Sequence, residues 1–404
     1  MWVDIMYNNS KNQKINKLLF LTETPFTKRD YERFGFELLK KNGFKVEVCD
    51  LTNILNLRLI KKYTPPDPTE LSYRTVFNNK YQGINKIKNL FSNTFIFSFV
   101  GYSPKSFWVY KAISASDADY AVLMSDSLPS ATNSEKKGFF YYIKNIQKAS
   151  PEELTNFVRR FYYRVPFSFF GMKPASLILA GGEQYFNSQY PVDKTTEVLW
   201  AHGLDYDTYL KEREIPFIEC PMAVFLDEYL PFHPDFLINK VHPPINADNY
   251  YPLLNKFFTR IEKELELEVI IAAHPKSCYE KHHDYFEGRK CIRGETPRLI
   301  KESQLVLVHS STSVNLANLF YKPVIFMTSH TIAKSGSGPL IGGMADWFGK
   351  KPVFIDDDVA INWKQQMTIN ASNYDRYRQA FIKTKWSEDV LFWQIVANRL
   401  KKWR

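Results

Sequence analysis

Short apolar runs, each followed by a segment of helical spacing, recur along this chain and leave few folds open to it. Lys17–Leu21 and Phe44–Val48 are runs of strand length; between them Tyr31 to Lys41 carries apolar residues at helical intervals and stops at Asn42-Gly43. Further runs follow at Phe95–Val100, Ala121–Met124, Ser176–Ala180 and Glu197–Trp200. After Ile215-Pro216 the rhythm resumes, with strands expected at Ala223–Leu226, Val269–Ala273, Leu305–Val308 and Pro323–Met327. Helices are expected at Tyr250 to Glu266, Thr296–Ser303 and Ser313–Phe320. Continuous apolar runs suit strands buried on both faces, as in a parallel sheet covered by helices. The expected class is therefore α/β, with two Rossmann-like domains and a cleft between them. Residues around 60–75, including Tyr63-Thr64-Pro65-Pro66, read as a loop or an insertion.

With 404 residues, 45% of them hydrophobic, the chain can bury a large core and exceeds one typical domain. The boundaries expected are 1–215 for an N-terminal Rossmann-like domain and 216–386 for a C-terminal one. The remaining stretch, 387–404, reads as an amphipathic helix placed to pack back on the first domain. The 22 prolines and 16 glycines are scattered, which argues against a solenoid or a low-complexity tail. Cys49, Cys220, Cys278 and Cys291 lack CxxC spacing, and the N-terminus does not read as a signal peptide, so a reducing cytoplasm is expected. No apolar run approaches the roughly 20 residues of a membrane span, which leaves a soluble protein or one peripheral to the inner face of the membrane.

A net charge of +10 and an aromatic content of 16% suit three partners: nucleic acid, an anionic membrane surface, or an acidic substrate. The basic residues are dispersed, without an RNP, helix-turn-helix, KH or zinc-finger pattern, so nucleic acid is not an expected partner.

The residues that carry chemistry gather at strand ends. His274-Pro275-Lys276 closes Val269–Ala273, while His309-Ser310-Ser311-Thr312-Ser313 follows Leu305–Val308 and opens a helix. Ligands of open parallel sheets sit outside the carboxyl ends of the strands, and a hydroxyl-rich turn at a helix start offers N–H groups to an anion. A phosphate site for a nucleotide is the expectation. His309 either meets the ligand or is satisfied by backbone. Asp227 and Glu228, after Ala223–Leu226, either hold a ligand or cap the next turn. Thr296 reads as a helix N-cap with Pro297 at the first position, its backbone lining a base pocket. In the first domain, Glu23, Asp126, Glu183 and Asp205 are candidates for a general base, and the glycines of Gly181-Gly182-Glu183 would let a ligand approach the backbone. No metal is expected, since Asp356-Asp357-Asp358 reads as a solvated turn; Gly336–Gly343 reads as a mobile loop.

Two Rossmann-like domains, a strand ending in His274-Pro275 and a later one ending in Ser310-Ser311 resemble the GT-B glycosyltransferases. The likeness is greatest to bacterial sialyltransferases and capsule transferases that carry HP and SS motifs. It covers the second domain by motif and the first by architecture. The resemblance implies that His274 donates a hydrogen bond to the phosphate of a nucleotide sugar and helps the leaving group depart, while Ser310, Ser311 and Thr312 bind phosphate oxygens. It also implies a CMP-linked sialic-acid-like or Kdo-like donor, a glycan or lipid-linked glycan acceptor held by the first domain, and assembly of a bacterial surface polysaccharide. The Asp/Glu-Asp/Glu-Gly motif that supplies the base in those sialyltransferases is missing here. Other readings of the same residues are a polyol-phosphate transferase, a UDP-sugar transferase or epimerase, and a noncatalytic protein that binds a nucleotide or glycan.

Overall fold

The computed structural model describes residues 14–62, 72–124, 129, 162–184, 190–239, 241–281 and 284–403. The first sheet holds β1 (Lys17–Thr22), β2 (Lys45–Asp50), β3 (Arg74–Val76), β4 (Thr94–Phe99), β5 (Asp119–Met124), β6 (Leu177–Ala180) and β7 (Glu197–Trp200). Its order is β3-β2-β1-β4-β5-β6-β7, and every neighbouring pair is parallel. The second sheet holds β8 (Met222–Leu226), β9 (Glu268–Ala273), β10 (Cys291–Arg293), β11 (Leu305–Val308), β12 (Val324–Thr328) and β13 (Val353–Phe354). Its order, β10-β9-β8-β11-β12-β13, is again all parallel.

Both sheets thus reverse their winding once, between β1 and β4 in the first and between β8 and β11 in the second. At such a switch point the flanking connections leave in opposite directions and open a crevice at the carboxyl ends of the strands. The strands themselves are close to continuous apolar runs. Leu18 to Leu21 and Leu305 to Val308 are all fully buried, as strands covered on both faces must be.

Three expected elements came out differently. Tyr31 to Lys41 is not one helix but two, Lys28–Arg33 and Phe36–Lys41, broken at Gly35 with φ 58°. The cause lies at the far end of the chain. Trp393 lies against the break, so close that a Cβ on Gly35 would come within 2.7 Å of its ring, and its indole N–H donates to the Arg33 carbonyl at 2.9 Å. Gly336–Gly343 is not a loop; Gly336 stands in the cap position and the rest forms the N-terminal part of the helix Ser337–Trp347, where Ile341, Met344 and Ala345 are buried. Their spacing along one face outweighs the poor helix propensity of the glycines. Thr296 is not an N-cap but the first residue of the helix Thr296–Glu302, with Glu295 in the cap position and no side-chain cap bond.

After the second sheet the chain returns. Tyr374, Tyr377 and Phe381 pack in the second domain's core, Lys383 bridges to His202, and the helix Phe392–Lys401 closes one face of the first sheet with Phe392, Trp393, Val396 and Leu400. Trp393 packs on Phe20 and Phe97 with ring centroids 5.4 and 5.1 Å away. Arg399 holds Glu197 at 2.6 Å.

Replacing Trp393 with alanine removes a fully buried ring from the joint between helix and sheet. It is expected to cost about 3–5 kcal/mol of stability, read as a lower thermal midpoint; an unchanged midpoint would show that the helix is not part of the first domain's core.

Candidate functional site

The carboxyl end of β8 carries Asp227 and Glu228, and these two carboxylates organise the strand ends around them. Asp227 is buried; its Oδ2 accepts the N–H of His274 at 3.0 Å, and its Oδ1 accepts the Tyr229 N–H at 2.8 Å and the Tyr279 hydroxyl at 3.0 Å. Burial raises its pKa to about 6 despite these donors. Asp227 therefore fixes the end of β9 to the end of β8. With both oxygens engaged, it positions His274 rather than waiting for a ligand.

Glu228 spans the switch point of the second sheet. It accepts the Ser310 N–H at 2.5 Å and the Ser310 hydroxyl at 2.9 Å, and the N–H groups of His309 and Ser311 also face it. Burial pushes its carboxyl up and the donors pull it down. The hydroxyl turn expected to cradle a phosphate thus already holds a carboxyl group belonging to the protein. With Glu228 in place, the Ser310 donors are occupied. Ser311, whose Oγ accepts the Ser313 N–H at 3.3 Å, and the exposed Thr312 lie at the rim. The helix that follows, Val314–Leu319, is short and buried.

His309 turns inward. Its ring is 1% exposed, with Nδ1 donating to the Met327 carbonyl at 2.7 Å and Nε2 accepting from the Tyr250 hydroxyl at 3.1 Å. Of the two readings of this residue, the geometry selects the backbone-satisfied one, and no ring nitrogen is left for a ligand.

His274 is set up differently. Its Nδ1 accepts the Lys276 N–H at 3.2 Å, and burial, followed by the nearby His233, Lys276 and Arg29, holds its pKa down at about 2. A neutral imidazole whose Nδ1 accepts carries its proton on Nε2, so His274 is a hydrogen-bond donor across the whole physiological range. Pro275 follows it in the turn, and Lys276 reaches Asp235 at 3.1 Å. Beside it stands His233, which the strand-end reading missed. The two rings meet edge to face with centroids 4.7 Å apart. The available signal was another of the chain's three His-Pro dipeptides, His233-Pro234, a few residues beyond β8.

On the first-domain side, Glu23 follows β1 and accepts the Gly101 N–H at 3.0 Å, spanning the switch point there as Glu228 does in the second domain. Burial raises its carboxyl above the usual range. Asp205 accepts from Asn315 of the second domain at 3.2 Å and lines a small cavity of about 180 Å³ with Arg29 and Arg33, so it ties the domains together. Glu183 has an exposed side chain, while its N–H donates to the Gln379 carbonyl at 2.9 Å. What approaches Gly182 is the returning chain rather than a ligand: a Cβ there would lie 2.2 Å from the Ala380 carbonyl oxygen. Asp126 lies outside the described residues.

Thr296 stands at the start of its helix, after Gly294 with φ 86°. Among the described residues, the grouping suited to a metal is His330, Asp356 and Asp357, whose ligand-type atoms lie within 4.8 Å of one another. Asp356 also accepts the His330 N–H at 2.9 Å, so only Asp358, exposed and paired with Lys256, fits the solvated turn expected of the whole run.

No protein-family model matches the chain. No curated protein matches it in sequence either. Solved structures with a similar course of the backbone include a UDP-GlcNAc 2-epimerase from Neisseria meningitidis bound to UDP-GlcNAc, at 15% identity and a TM-score of 0.46, covering 95% of this chain and 100% of that one. MurG from Acinetobacter baumannii aligns at 10% identity and a TM-score of 0.46 over 96% and 99% of the two chains. CalG4, the calicheamicin glycosyltransferase, aligns at 9% identity and a TM-score of 0.42 over 91% and 93%. Likeness at this level carries no function across. The class rests on the molecule's own two parallel sheets, which make it an α/β protein of two Rossmann-like domains, the GT-B-like plan.

Burial of His309 has a consequence for acid stability. Its folded pKa is near 4, against roughly 6.5 in the unfolded chain. Above that value it is neutral in both states; as pH falls from 6.5 towards 4 the unfolded chain takes up a proton that the folded protein refuses, and stability drops by about 1.4 kcal/mol per pH unit. Asp227, raised in the fold, works in the opposite sense. The measurement is therefore the difference between wild type and His309→Gln in urea midpoints from pH 7 to 4.5, and the variant is expected to show the shallower fall.

Proposed function

We propose that this protein is a glycosyltransferase that takes a sugar from a nucleotide donor, with a CMP-linked acidic sugar preferred and a glycan or lipid-linked glycan as acceptor in bacterial surface-polysaccharide assembly. The observation that carries the reading is His274. It is a neutral imidazole at the carboxyl end of β9, locked through Nδ1 by the Lys276 N–H and left with Nε2–H to donate. Breaking the bond between sugar and phosphate leaves the electron pair, and a growing negative charge, on the phosphate oxygen. A fixed donor aimed at that oxygen stabilises the transition state more than the ground state. The acceptor hydroxyl forms the new bond to the sugar carbon and gives its proton to a base. Among the described residues Glu23 suits that role, because a carboxylate whose pKa is raised by burial is a stronger base than an exposed one. The preference for CMP rests on the paired HP and SS motifs. The charge balance at the site is compatible with it: neutral His274 and a Lys276 already neutralised by Asp235 suit a singly charged phosphodiester.

The test begins with thermal shifts against CMP, CDP, UDP and GDP. CMP is expected to raise the midpoint most, since a ligand that binds only the folded state stabilises it; a larger shift with UDP would move the donor to the UDP-sugars. His274→Ala should then lower turnover of the sugar donor roughly 10²–10³-fold while the fold persists, and full turnover in a folded variant would remove His274 from the chemistry.

Fixed donors make a metal unnecessary for this step, so turnover should survive excess EDTA. Loss restored specifically by Mg²⁺ or Mn²⁺ would instead bring the grouping of His330, Asp356 and Asp357 into the mechanism.

A further inference from the structure

Two His-Pro turns stand side by side at the cleft-facing edge of the second sheet, and they are built alike. In one, His233 Nδ1 accepts the N–H of Asp235 at 3.2 Å; in the other, His274 Nδ1 accepts the N–H of Lys276 at 3.2 Å. Each ring is thus held by the backbone N–H two residues further on, and each neutral ring carries its remaining proton on Nε2. The turns are tied to one another by the Lys276–Asp235 pair at 3.1 Å, and the rings meet with centroids 4.7 Å apart. His233 keeps 18% of its side-chain surface exposed. Among the described residues neither Nε2 has a protein hydrogen-bond partner, and neither is a buried polar atom lacking one. Both donors are therefore open to a ligand. Arg29 of the first domain is near enough to act on His274 electrostatically.

The nearby serine turn, by contrast, is filled by Glu228. An incoming phosphate finds its unoccupied donors at the imidazoles. The oxygens of one phosphate group, reached through hydrogen bonds of about 2.7–2.9 Å, can bridge two donors on rings this close.

We propose that His233 and His274 form a single anion site, that the two Nε2–H groups hold the phosphate of the nucleotide donor together, and that His233 is a second phosphate-binding residue of this protein. The inference rests on the nucleotide-donor reading. It assigns to His233 a share of ground-state binding, while His274 also meets the charge that develops on the leaving oxygen.

The test is calorimetric titration of wild type, His233→Ala and His233→Gln with CMP and UDP, with cytidine and uridine as references that lack the phosphate. Glutamine places an amide N–H where Nε2–H stood. His233→Ala is expected to weaken the better-bound nucleotide about 10- to 100-fold, the size of one hydrogen bond to a charged group. His233→Gln should stay within about threefold of wild type, and nucleoside affinity should not change. Equal nucleotide affinity in wild type and His233→Ala overturns the inference and leaves the donor reading standing. Parallel loss of nucleoside and nucleotide, or equal loss in both variants, also overturns it, since the residue would then shape the pocket rather than hold phosphate. A wild-type protein that binds neither nucleotide sinks the donor reading and this inference with it.

Discussion

Carboxylates that accept backbone N–H groups from a neighbouring strand end hold both cleft-facing edges in shape. Glu23 does this between β1 and the loop after β4, Glu228 between β8 and the turn after β11, and Asp227 between β8 and β9. Parallel sheets leave orphan N–H groups where the strands stop, and a switch point pulls two such ends apart. A carboxylate placed there satisfies several donors at once. The arrangement is not free of strain: three donors do not fully offset the desolvation of Asp227, whose rise to about 6 corresponds to roughly 3 kcal/mol against the charged form. What it provides is rigidity, because removing any one member leaves a buried charge or a buried N–H without its partner.

The site inherits its form from that framework. His274 has a defined position because its own N–H is held by Asp227, and a defined tautomer because Lys276 donates to its ring. The tie between the domains is of another kind: Asp205, Asn315 and Tyr377 form a chain of hydrogen bonds from the first domain into the second, and the helix Leu57–Lys62 packs on Pro234–Asn239. The residues proposed to act on a donor lie on the second sheet, and the carboxylate proposed as base lies on the first, so the proposed transfer would depend on the angle that these ties maintain.

Much of the fold was legible because buried parallel strands write themselves as uninterrupted apolar runs. Leu305–Val308 and Glu197–Trp200 stand where the sequence put them, and the other expected strands shift by a residue or two, where fraying leaves no sharp signal; the edge strands β3 and β10, three residues each, were not foreseen, and β3 begins within the stretch read as a loop. Contacts between residues distant in sequence were not legible. Nothing around Gly35 foretells that Trp393 will break its helix, and nothing around Gly182 foretells that the backbone near Ala380 will lie against it. At the site, His274 could be singled out from its strand, but the engagement of Ser310 by Glu228 could not, since it joins residues 82 positions apart. His233 was visible only as a repeated dipeptide. Its meaning came from the fold, which brought two of the three copies together.

The helix Phe392–Lys401 covers a face of a sheet whose last strand ends at Trp200. Phe34, Phe36 and Leu39 of the first domain cover part of that face, but during synthesis the part under Trp393 stays open until the whole second domain has been made. Vectorial folding ordinarily lets an N-terminal domain finish first, but here the order is inverted. The second domain can close its own core while Phe20 and Phe97 still lack the Trp393 ring that completes their packing. The first domain therefore reaches its final packing only after the second has been synthesised, so its last stretch of apolar surface is closed by the latest part of the chain.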